Sequence, residues 1–263
     1  MARNFLRNKN LREFLWIFLI TYVAYGAYLV FSQERITYQP TPQDFATCAE
    51  LVHVEQVTYE GTRMYFKDNG PHVVVLYHGN YGSACDRAFL AELFEEAGYS
   101  YLLPEYAGYS NDIVKPSHER IKKDVEHVTA FLKEKNFSEV VVVGESVGTR
   151  FATYHVSLAP PQKLLLISPF SSLTDIAQHA FWYYPVSFLM NDPFDNARLI
   201  GDFPGKVVLL HGEKDDIIPL NLGQKLFDGL ATPNKDLIVI PTAGHNNLFA
   251  FPETWQVIRD FLK

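Results

Sequence analysis

The sequence is poor in cysteine and lacks metal-binding and phosphate-binding motifs. Cys48 and Cys85 are the two cysteines among 263 residues, which is too few for a disulfide framework, so they form one bridge at most. Two free thiols are the simpler alternative. No CxxC, HExxH or paired-histidine spacing occurs, and the turn HGNYGS lacks the lysine of a phosphate-binding loop. The sequence therefore predicts no metal and no cofactor.

Positive charge is scarce outside the N-terminus. The formal net charge is −7, and residues 1–31 hold four basic residues and one acid, so the remaining residues carry a net charge of −10. An acidic domain of this kind is poorly suited to binding nucleic acid or to docking on anionic lipid. We expect no nucleic-acid partner, and we expect membrane contact to come from the N-terminal segment alone.

Repeats, low-complexity tracts and Gly/Ser-rich linkers are also missing. The one linker-like stretch is QPTPQD, around Pro40 and Pro42, which follows the apolar N-terminus. We therefore expect residues 1–36 to form a cytoplasmic tail with a membrane anchor, and residues 37–263 to form a single domain with one large core.

A long apolar run follows the basic N-terminus. Phe14–Phe31 is 18 residues long without a charge, and Arg3, Arg7, Lys9 and Arg12 precede it. As a helix this run spans about 27 Å, enough to cross a hydrocarbon core when flanking side chains snorkel. The basic cluster predicts a cytoplasmic N-terminus and a domain on the far side of the membrane, in a periplasmic, lumenal or extracellular space.

Two other interpretations of this run stay open. A cleaved signal peptide has an apolar core of about 7–15 residues followed by a small-x-small site, whereas the best candidate here, Ala24-Tyr-Gly26, lies inside the core. The other is a helix buried within a soluble domain. The length favours an uncleaved signal-anchor that crosses the membrane once.

Short runs rich in Val, Ile, Leu and Tyr alternate with amphipathic stretches along the domain, which is typical of βα units around a mainly parallel sheet. The predicted fold class is therefore α/β. The first two strands, joined at Glu60-Gly61, are predicted to form a hairpin, and the later ones to be buried on both faces. Strands are predicted at Leu51–Tyr59, Arg63–Phe66, Val73–His78, Tyr101–Pro104, Val140–Gly144, Leu164–Ser168, Val207–His211 and Leu237–Pro241. Helices are predicted at Asp86–Ala97, Ser117–Lys135, Val147–Leu158, Leu220–Leu230 and Pro252–Phe261.

A longer segment, residues 171–205, separates two of these strands. Its aromatic cluster between Phe181 and Met190 is too apolar for a simple loop. One interpretation is a helix packed on the domain, because aromatic stripes usually belong to a core. The other is a small cap whose apolar face lines a site for an acyl chain.

The sequence GESVG places Ser146 between Gly144 and Gly148, after a run of four valines and before a helix-compatible stretch. In G-x-S-x-G the glycines let a strand turn sharply into a helix, which presents the serine at the carboxyl end of the strand. We predict that Ser146 is a catalytic nucleophile, with a tight structural turn as the alternative. Glu145, at the variable position, receives no role.

A serine hydroxyl needs a base within hydrogen-bonding reach. Four histidines follow Ser146 in the chain: His155 and His179 lie in helix-like stretches, and His211 ends a strand. His245, in TAGHNNL, lies in the loop after the last predicted strand, at the edge of the sheet where site residues converge. His245 is therefore the predicted base.

An acid should orient that base, and it should follow another strand between the serine and the histidine. HGEKDDIIP offers both Asp215 and Asp216 after such a strand, and Asp175 is the main rival. Attack on a carbonyl also requires preorganised donors for the oxyanion. The amide of Val147 is one candidate, and the turn after VVVLYHGNYG supplies a second at Asn80 or Tyr81.

In this order, HGNYG, PEYAGYS, GESVG, HGEKDDIIP and AGHNNL resemble the α/β-hydrolase superfamily. The resemblance covers about Val54–Lys263 and implies an α/β-hydrolase fold, with a mostly parallel eight-stranded sheet flanked by helices. It implies Ser146, Asp215 and His245 as a catalytic triad, with the amides of Asn80 and Val147 as the oxyanion hole.

More narrowly, the HGN turn, the YxGY segment before KPSHER, the short excursion and the N-terminal anchor resemble the membrane-associated branch of that superfamily. Its animal members include lysophospholipid, monoacylglycerol and acyl-protein thioester hydrolases. The resemblance implies a serine hydrolase of acyl esters or thioesters, acting on a small-molecule or lipid acyl substrate. A serine peptidase of the same fold and a catalytically idle, membrane-tethered binding domain are the alternatives. The usual D-Y-R-G-Y-G is here Glu105–Ser110, without the arginine, which bears on the substrate class.

Overall fold

The computed structural model describes residues 9–190 and 195–263. Arg3 and Arg7 of the basic cluster, and residues 191–194 of the predicted cap, lie outside the described residues. The described chain begins with two helices, α1 (Lys9–Phe31) and α2 (Gln33–Thr37). Within residues 9–190 and 195–263, α1 is the one helix long and apolar enough to cross a membrane, with a mean hydropathy of 1.9 and 6% of that stretch buried.

An eight-stranded sheet forms the centre of the domain. Its strands are β1 (Glu55–Tyr59), β2 (Thr62–Lys67), β3 (His72–Tyr77), β4 (Ser100–Glu105), β5 (Glu139–Glu145), β6 (Lys163–Ile167), β7 (Lys206–Gly212) and β8 (Lys235–Ile240). They are arranged in the order β8-β7-β6-β5-β3-β4-β2-β1. β2 runs antiparallel to both of its neighbours, and all other pairs are parallel. The predicted α/β class, with a mostly parallel eight-stranded sheet, is confirmed.

Helices connect and cover these strands. They are α3 (Ala88–Glu96), α4 (His118–Lys135), α5 (Gly148–Leu158), α6 (Leu173–Ala180), α7 (Val186–Leu189), α8 (Asn196–Ile200), α9 (Leu220–Gly229) and α10 (Pro252–Leu262). The five helices predicted from the sequence are α3, α4, α5, α9 and α10, with ends that differ by at most two residues. Ser117 caps α4, since its side chain accepts a hydrogen bond from the Arg120 amide.

The strand predictions differ from the structure at two places. The first strand begins at Glu55, because Leu51 and Val54 form a turn closed by a backbone hydrogen bond of 3.0 Å and bury their side chains in the core. β8 was expected to be buried on both faces but lies at the edge of the sheet, so most of its side chains remain partly exposed.

The valine-rich strands are buried between two apolar layers. Val74 packs into one layer and Val73 and Val75 into the other, as expected from side chains that alternate across a sheet. Because β3, β5, β7 and β8 are parallel, the loops that follow them meet at one edge of the sheet. The candidate residues therefore converge there.

A disulfide joins Cys48 to Cys85, with their Cα atoms 5.8 Å apart. The sequence left this pairing open. Cys85 begins a short 3₁₀ turn, Cys85–Arg87, that leads into α3. Nearby, Gln39–Pro40 pairs in parallel with Tyr81–Gly82. Both links hold the segment after α2 against the loop that follows β3.

Candidate active site

Ser146 follows β5 directly and adopts a backbone conformation that side chains rarely take. Its φ is +51°, in the left-handed region, and its amide donates a hydrogen bond of 2.8 Å to the Ile167 carbonyl. The residue is 6% exposed. Such a strained turn between a strand and a helix presents the serine hydroxyl at the edge of the sheet.

The two glycines of GESVG are required by close packing. A Cβ atom at Gly148 would lie 2.1 Å from the Tyr77 carbonyl oxygen, and one at Gly144 would lie 2.7 Å from the Cβ of Ala152. Neither position has room for a side chain. The glycines therefore let α5 begin directly against β3 and β5.

Ser146, His245 and Asp215 form a continuous hydrogen-bonded series. The His245 Nε2 atom lies 3.0 Å from the Ser146 Oγ atom, and its Nδ1 atom lies 2.7 Å from the Asp215 Oδ2 atom. The other oxygen of Asp215 accepts hydrogen bonds from the amides of Ile217, at 3.1 Å, and Ile218, at 2.7 Å. This geometry allows the serine proton to pass to an imidazole whose other nitrogen is held by a carboxylate.

The surroundings of Asp215 favour its ionised form. Burial raises the pKa of Asp215, but the hydrogen bond and charge of His245, together with the Ile218 amide, outweigh burial and hold the pKa below its usual value. His211 lies nearby, with Nε2 2.8 Å from the Ile218 carbonyl oxygen and 3.5 Å from Asp215. Since a carbonyl only accepts, that nitrogen carries a proton, and burial lowers the pKa of His211 so that the ring stays neutral.

The rival candidates lie elsewhere. Asp216 is exposed to solvent. Asp175 binds the Lys225 ammonium group at 2.8 Å and accepts a hydrogen bond from Ser171. His155 is buried against the Tyr77 hydroxyl, 2.9 Å away. None of these side chains contacts the Ser146 and His245 pair in the described structure.

The loop after β3 packs against Ser146. A Cβ atom at Gly79 would lie 3.6 Å from the Cβ of Ser146, and the next residue, Asn80, lines the same cavity as Val147 and His245. Tyr81, the alternative to Asn80, also borders the cavity, but its side chain is 66% exposed. The two predicted oxyanion positions, Asn80 and Val147, thus border the same cavity as Ser146.

Comparison with known proteins agrees with this architecture. Residues 72–192 match a family described as alpha/beta hydrolase fold. The structure also superposes on a Pyrococcus furiosus esterase with a TM-score of 0.67 and 19% sequence identity, over 86% of this chain and 97% of the esterase. The chain belongs to the α/β-hydrolase superfamily.

Relatives of this α/β-hydrolase occur in bacteria and animals. An uncharacterised protein of Mycobacterium tuberculosis is 28% identical over 255 residues, which cover 91% of this chain and 90% of that protein. The lysophosphatidylserine lipase ABHD12 of Xenopus tropicalis is 30% identical over 224 residues, or 72% of this chain and 57% of the lipase. The chain therefore matches less than two thirds of the length of that lipase.

In this α/β-hydrolase the EYAGYS segment braces the loop after β3. The Tyr109 hydroxyl donates to the Asn80 carbonyl oxygen at 2.7 Å, and the Tyr106 hydroxyl donates to the His78 carbonyl oxygen at 2.8 Å. The Glu105 carboxylate accepts a hydrogen bond of 3.2 Å from the amide of Ala84. These contacts fix the backbone of the loop that carries the predicted oxyanion position Asn80.

Ser146 opens into a large apolar cavity of about 1030 Å³. Its walls include Leu29 and Val30 near the end of α1, and Ile176 and Ala177 on α6. This volume lies at the upper end of the range found for ligand pockets, about 300–1,000 Å³. Residues 171–190 therefore do more than cover the core, since they form one wall of the cavity that holds the serine.

Sequence reasoning missed the residues that support the site. Tyr106 and Tyr109 were noted only as part of a bordering segment, and Glu145 received no role although it pairs with Arg87. The one available signal was the repeated tyrosine spacing in EYAGY. Nothing in the sequence linked Glu145 to Arg87, because 58 residues separate them.

Proposed function

We propose that this protein is a membrane-anchored serine hydrolase that cleaves carboxylic ester or thioester bonds of acyl lipids or acylated molecules through an acyl-enzyme. The observation that carries the proposal is the hydrogen-bonded series of Ser146, His245 and Asp215, in which Ser146 and His245 line an apolar cavity. The residues of this series supply the nucleophile, base and orienting acid that acyl transfer requires.

In the first half of the proposed reaction, His245 Nε2 takes the proton of the Ser146 hydroxyl as Oγ attacks the acyl carbonyl carbon. Asp215 holds the proton on Nδ1 and stabilises the imidazolium. The amides of Asn80 and Val147 donate to the oxyanion of the tetrahedral intermediate. His245 then gives its proton to the departing alcohol or thiol, which leaves the acyl group on Ser146.

In the second half, His245 removes a proton from a water molecule that attacks the acyl-enzyme. A second tetrahedral intermediate collapses, Ser146 regains its proton from His245, and the carboxylic acid is released.

Two observations support an acyl lipid as substrate. The cavity beside Ser146 is lined mainly by aliphatic and aromatic side chains, which suit an acyl chain. Several relatives of similar sequence are named lysophosphatidylserine lipase. We extend a substrate of this class, a lipid with an acyl ester, to this chain as part of the proposal.

The proposal divides the chain into an anchor, residues 1–36, and a hydrolase domain, residues 37–263, with residues 171–205 as its cap. α1 crosses the membrane once, its N-terminus is cytoplasmic, and the domain lies on the far side. The length and apolarity of α1 support the crossing. The disulfide between Cys48 and Cys85 supports the far side, because such bonds persist in oxidising compartments.

Labelling with a fluorophosphonate probe tests the proposed nucleophile. The full-length protein should be labelled covalently, Ser146→Ala should lose the label, and Ser157→Ala, a change at an exposed serine on α5, should keep it. Asp215→Asn should lower kcat by about 10⁴-fold. Folded wild-type protein that takes no label would instead indicate a domain that binds without catalysis.

A profile of acyl esters, thioesters and peptides of graded chain length would then test the substrate class. We expect the highest kcat/KM for long-chain acyl esters or thioesters. Faster cleavage of peptides would contradict the proposal and favour a peptidase.

A further inference from the structure

The helix α1 is packed along part of its length against the cap. The Tyr22 hydroxyl donates to the Tyr183 carbonyl oxygen at 2.8 Å, and the Tyr184 hydroxyl donates to the Tyr22 carbonyl oxygen at 2.6 Å. The rings of Tyr22 and Tyr184 stack with centroids 4.4 Å apart. Gly26 allows this approach, because a Cβ atom there would lie 2.9 Å from the Tyr184 ring.

These contacts occur well inside the apolar run. Tyr22 lies nine residues before Phe31, the last residue of α1, which is about 14 Å along the helix axis. The uncharged run Phe14–Phe31 is only about 27 Å long, so all of it is needed to cross a hydrocarbon core of about 30 Å. With α1 across the membrane, Tyr22 lies near the middle of the bilayer, and the cap residues that touch it lie below the membrane surface.

The composition of the cap suits that depth. The segment Ala180–Met190 contains no charged side chain. Its large exposed hydrophobic side chains, here called the cap edge, are Trp182, Tyr183 and Phe188, which are 77%, 45% and 88% exposed. The hydroxyls of Tyr22 and Tyr184 are both hydrogen-bonded to backbone carbonyls, as polar groups in hydrocarbon require. Large exposed apolar groups beside a membrane helix are typical of a surface that inserts into lipid.

The cavity lies beside α1. Leu29 and Val30 of α1 form one wall, and Ile176 and Leu189 of the cap form another. Ser146 lines the same cavity. The apolar lining of this cavity therefore extends from Ser146 to the last turn of α1.

We propose that the cap edge is inserted into the hydrocarbon of the far-side leaflet, and that the acyl chain of a lipid passes sideways from that leaflet into the cavity between α1 and the cap. The route of the acyl chain rests on the proposed function, since it ends at Ser146. The insertion of the cap edge does not depend on catalysis, so the two can be tested separately.

Fluorescence quenching tests the insertion without any enzyme assay. In full-length protein with W16F and W255F, Trp182 is the one remaining tryptophan. In phosphatidylcholine vesicles, we expect lipids brominated in the middle of the acyl chain to quench it about twofold. The matched control carries W182F as well and Leu158→Trp, at the far end of α5 from Ser146. Equal quenching of the two proteins, or no quenching of Trp182, would overturn the insertion.

Turnover of two substrates tests the acyl route. Phe188→Asp places a charge on the cap edge, outside the cavity lining, and should slow hydrolysis of a long-chain lysophospholipid in vesicles at least about tenfold. Hydrolysis of soluble p-nitrophenyl butyrate should stay within about twofold. Leu158→Asp makes the same kind of change away from the cap and should alter neither rate. Unchanged hydrolysis of the vesicle lipid by Phe188→Asp would overturn the route.

The outcomes separate the inference from the proposed function. If wild-type protein cleaves neither ester and Trp182 is quenched in the W16F and W255F protein, the hydrolase is rejected and the insertion stands. If wild-type protein cleaves both esters and Trp182 is not quenched in the W16F and W255F protein, the hydrolase stands and the insertion is rejected.

Discussion

Arg87 and Glu145 form a two-point ion pair that joins the loop after β3 to the residue before Ser146. The Arg87 Nε and Nη2 atoms both donate to the Glu145 carboxylate, the latter at 3.0 Å, and both side chains are largely buried. Burial would lower the pKa of Arg87, but the Glu145 charge outweighs burial and raises it. A paired guanidinium and carboxylate of this kind fix geometry as well as charge.

This pair should hold the proposed oxyanion donors in position relative to Ser146, the proposed nucleophile. In Glu145→Gln we expect kcat for a soluble ester to fall about 10- to 100-fold with little change in KM, since small displacements of catalytic groups have effects of this size. Arg87→Lys should also lower kcat, because an ammonium group cannot make both contacts. Glu92→Gln, at an exposed position on α3, serves as the control. A loss in Glu145→Gln that is matched by a lower melting temperature and a raised KM would indicate a role in stability instead.

The wall formed by α6 should set the preferred length of the acyl chain. Ala177 lines the cavity, so Ala177→Trp would fill part of it. We expect at least about a tenfold drop in kcat/KM for a 16-carbon ester and little change for a butyrate ester. His179→Trp adds the same side chain at an exposed position of the same helix and should change neither value. An equal drop in kcat/KM for both esters would show that Ala177 does not control the preferred length of the acyl chain.

Gly148 should tolerate no side chain. A Cβ atom there would clash with the Tyr77 carbonyl oxygen, so Gly148→Ala should lower the free energy of unfolding by about 3 kcal/mol. Gly229→Ala is the matched control, because its Cβ atom would make an ordinary contact of 3.5 Å with Ala197. We expect that control to be neutral or slightly stabilising. Denaturant titration in detergent would measure both, and similar midpoints would contradict the packing argument.

His155 should make stability fall in mild acid. Burial lowers the pKa of His155 to about 3, whereas an unfolded histidine has a pKa of about 6.5. Between these values the unfolded chain binds a proton that the folded chain does not, so the free energy of unfolding falls as the pH drops. From pH 7 to pH 5, this histidine should contribute a loss of about 2 kcal/mol. In His155→Gln, which keeps an acceptor for the Tyr77 hydroxyl, the free energy of unfolding should fall less over this pH range than in the wild-type protein. An equal fall in both proteins would exclude His155 as the source.

The pairing of Cys48 with Cys85 gives a test of topology. Protein isolated from membranes without reductant should react with no maleimide, and after unfolding and reduction it should react with two. Cys48→Ser should lower stability by about 2–5 kcal/mol. Two reactive thiols in freshly isolated, unreduced protein would place the domain in a reducing compartment, against the proposed orientation.

The local patterns of the sequence predicted most of the fold. The valine-rich run before Gly144 and the amphipathic stretch after it identified β5 and α5. Burial on both faces of a strand and the periodicity of a helix both appear as patterns among residues close together in the sequence. The edge position of β8 was missed, since strand order depends on contacts between distant segments. The same limit applied to the turn at Leu51, whose apolar side chains are buried without forming a strand.

The candidate site, too, could be predicted only in part. Ser146 and His245 could be selected from a motif and a loop position, and the structure brings them within 3.0 Å. The choice of Asp215 over Asp216 relied on family resemblance. Two adjacent aspartates carry identical side chains, and the sequence does not show which of the two points toward His245. Tyr109 and the contact of Tyr184 with α1 depend on packing between distant segments, which a single sequence does not record.

The position of α1 has a consequence for how the protein can be prepared. Because Leu29 and Val30 form a wall of the cavity, a truncated chain that starts after residue 36 would lose part of the cavity lining together with the proposed anchor. Such a fragment would have a cavity more open to water than that of the full-length protein. Its preference among substrates would describe the fragment, and inhibitors selected against it would fit a shape that the full-length protein does not have.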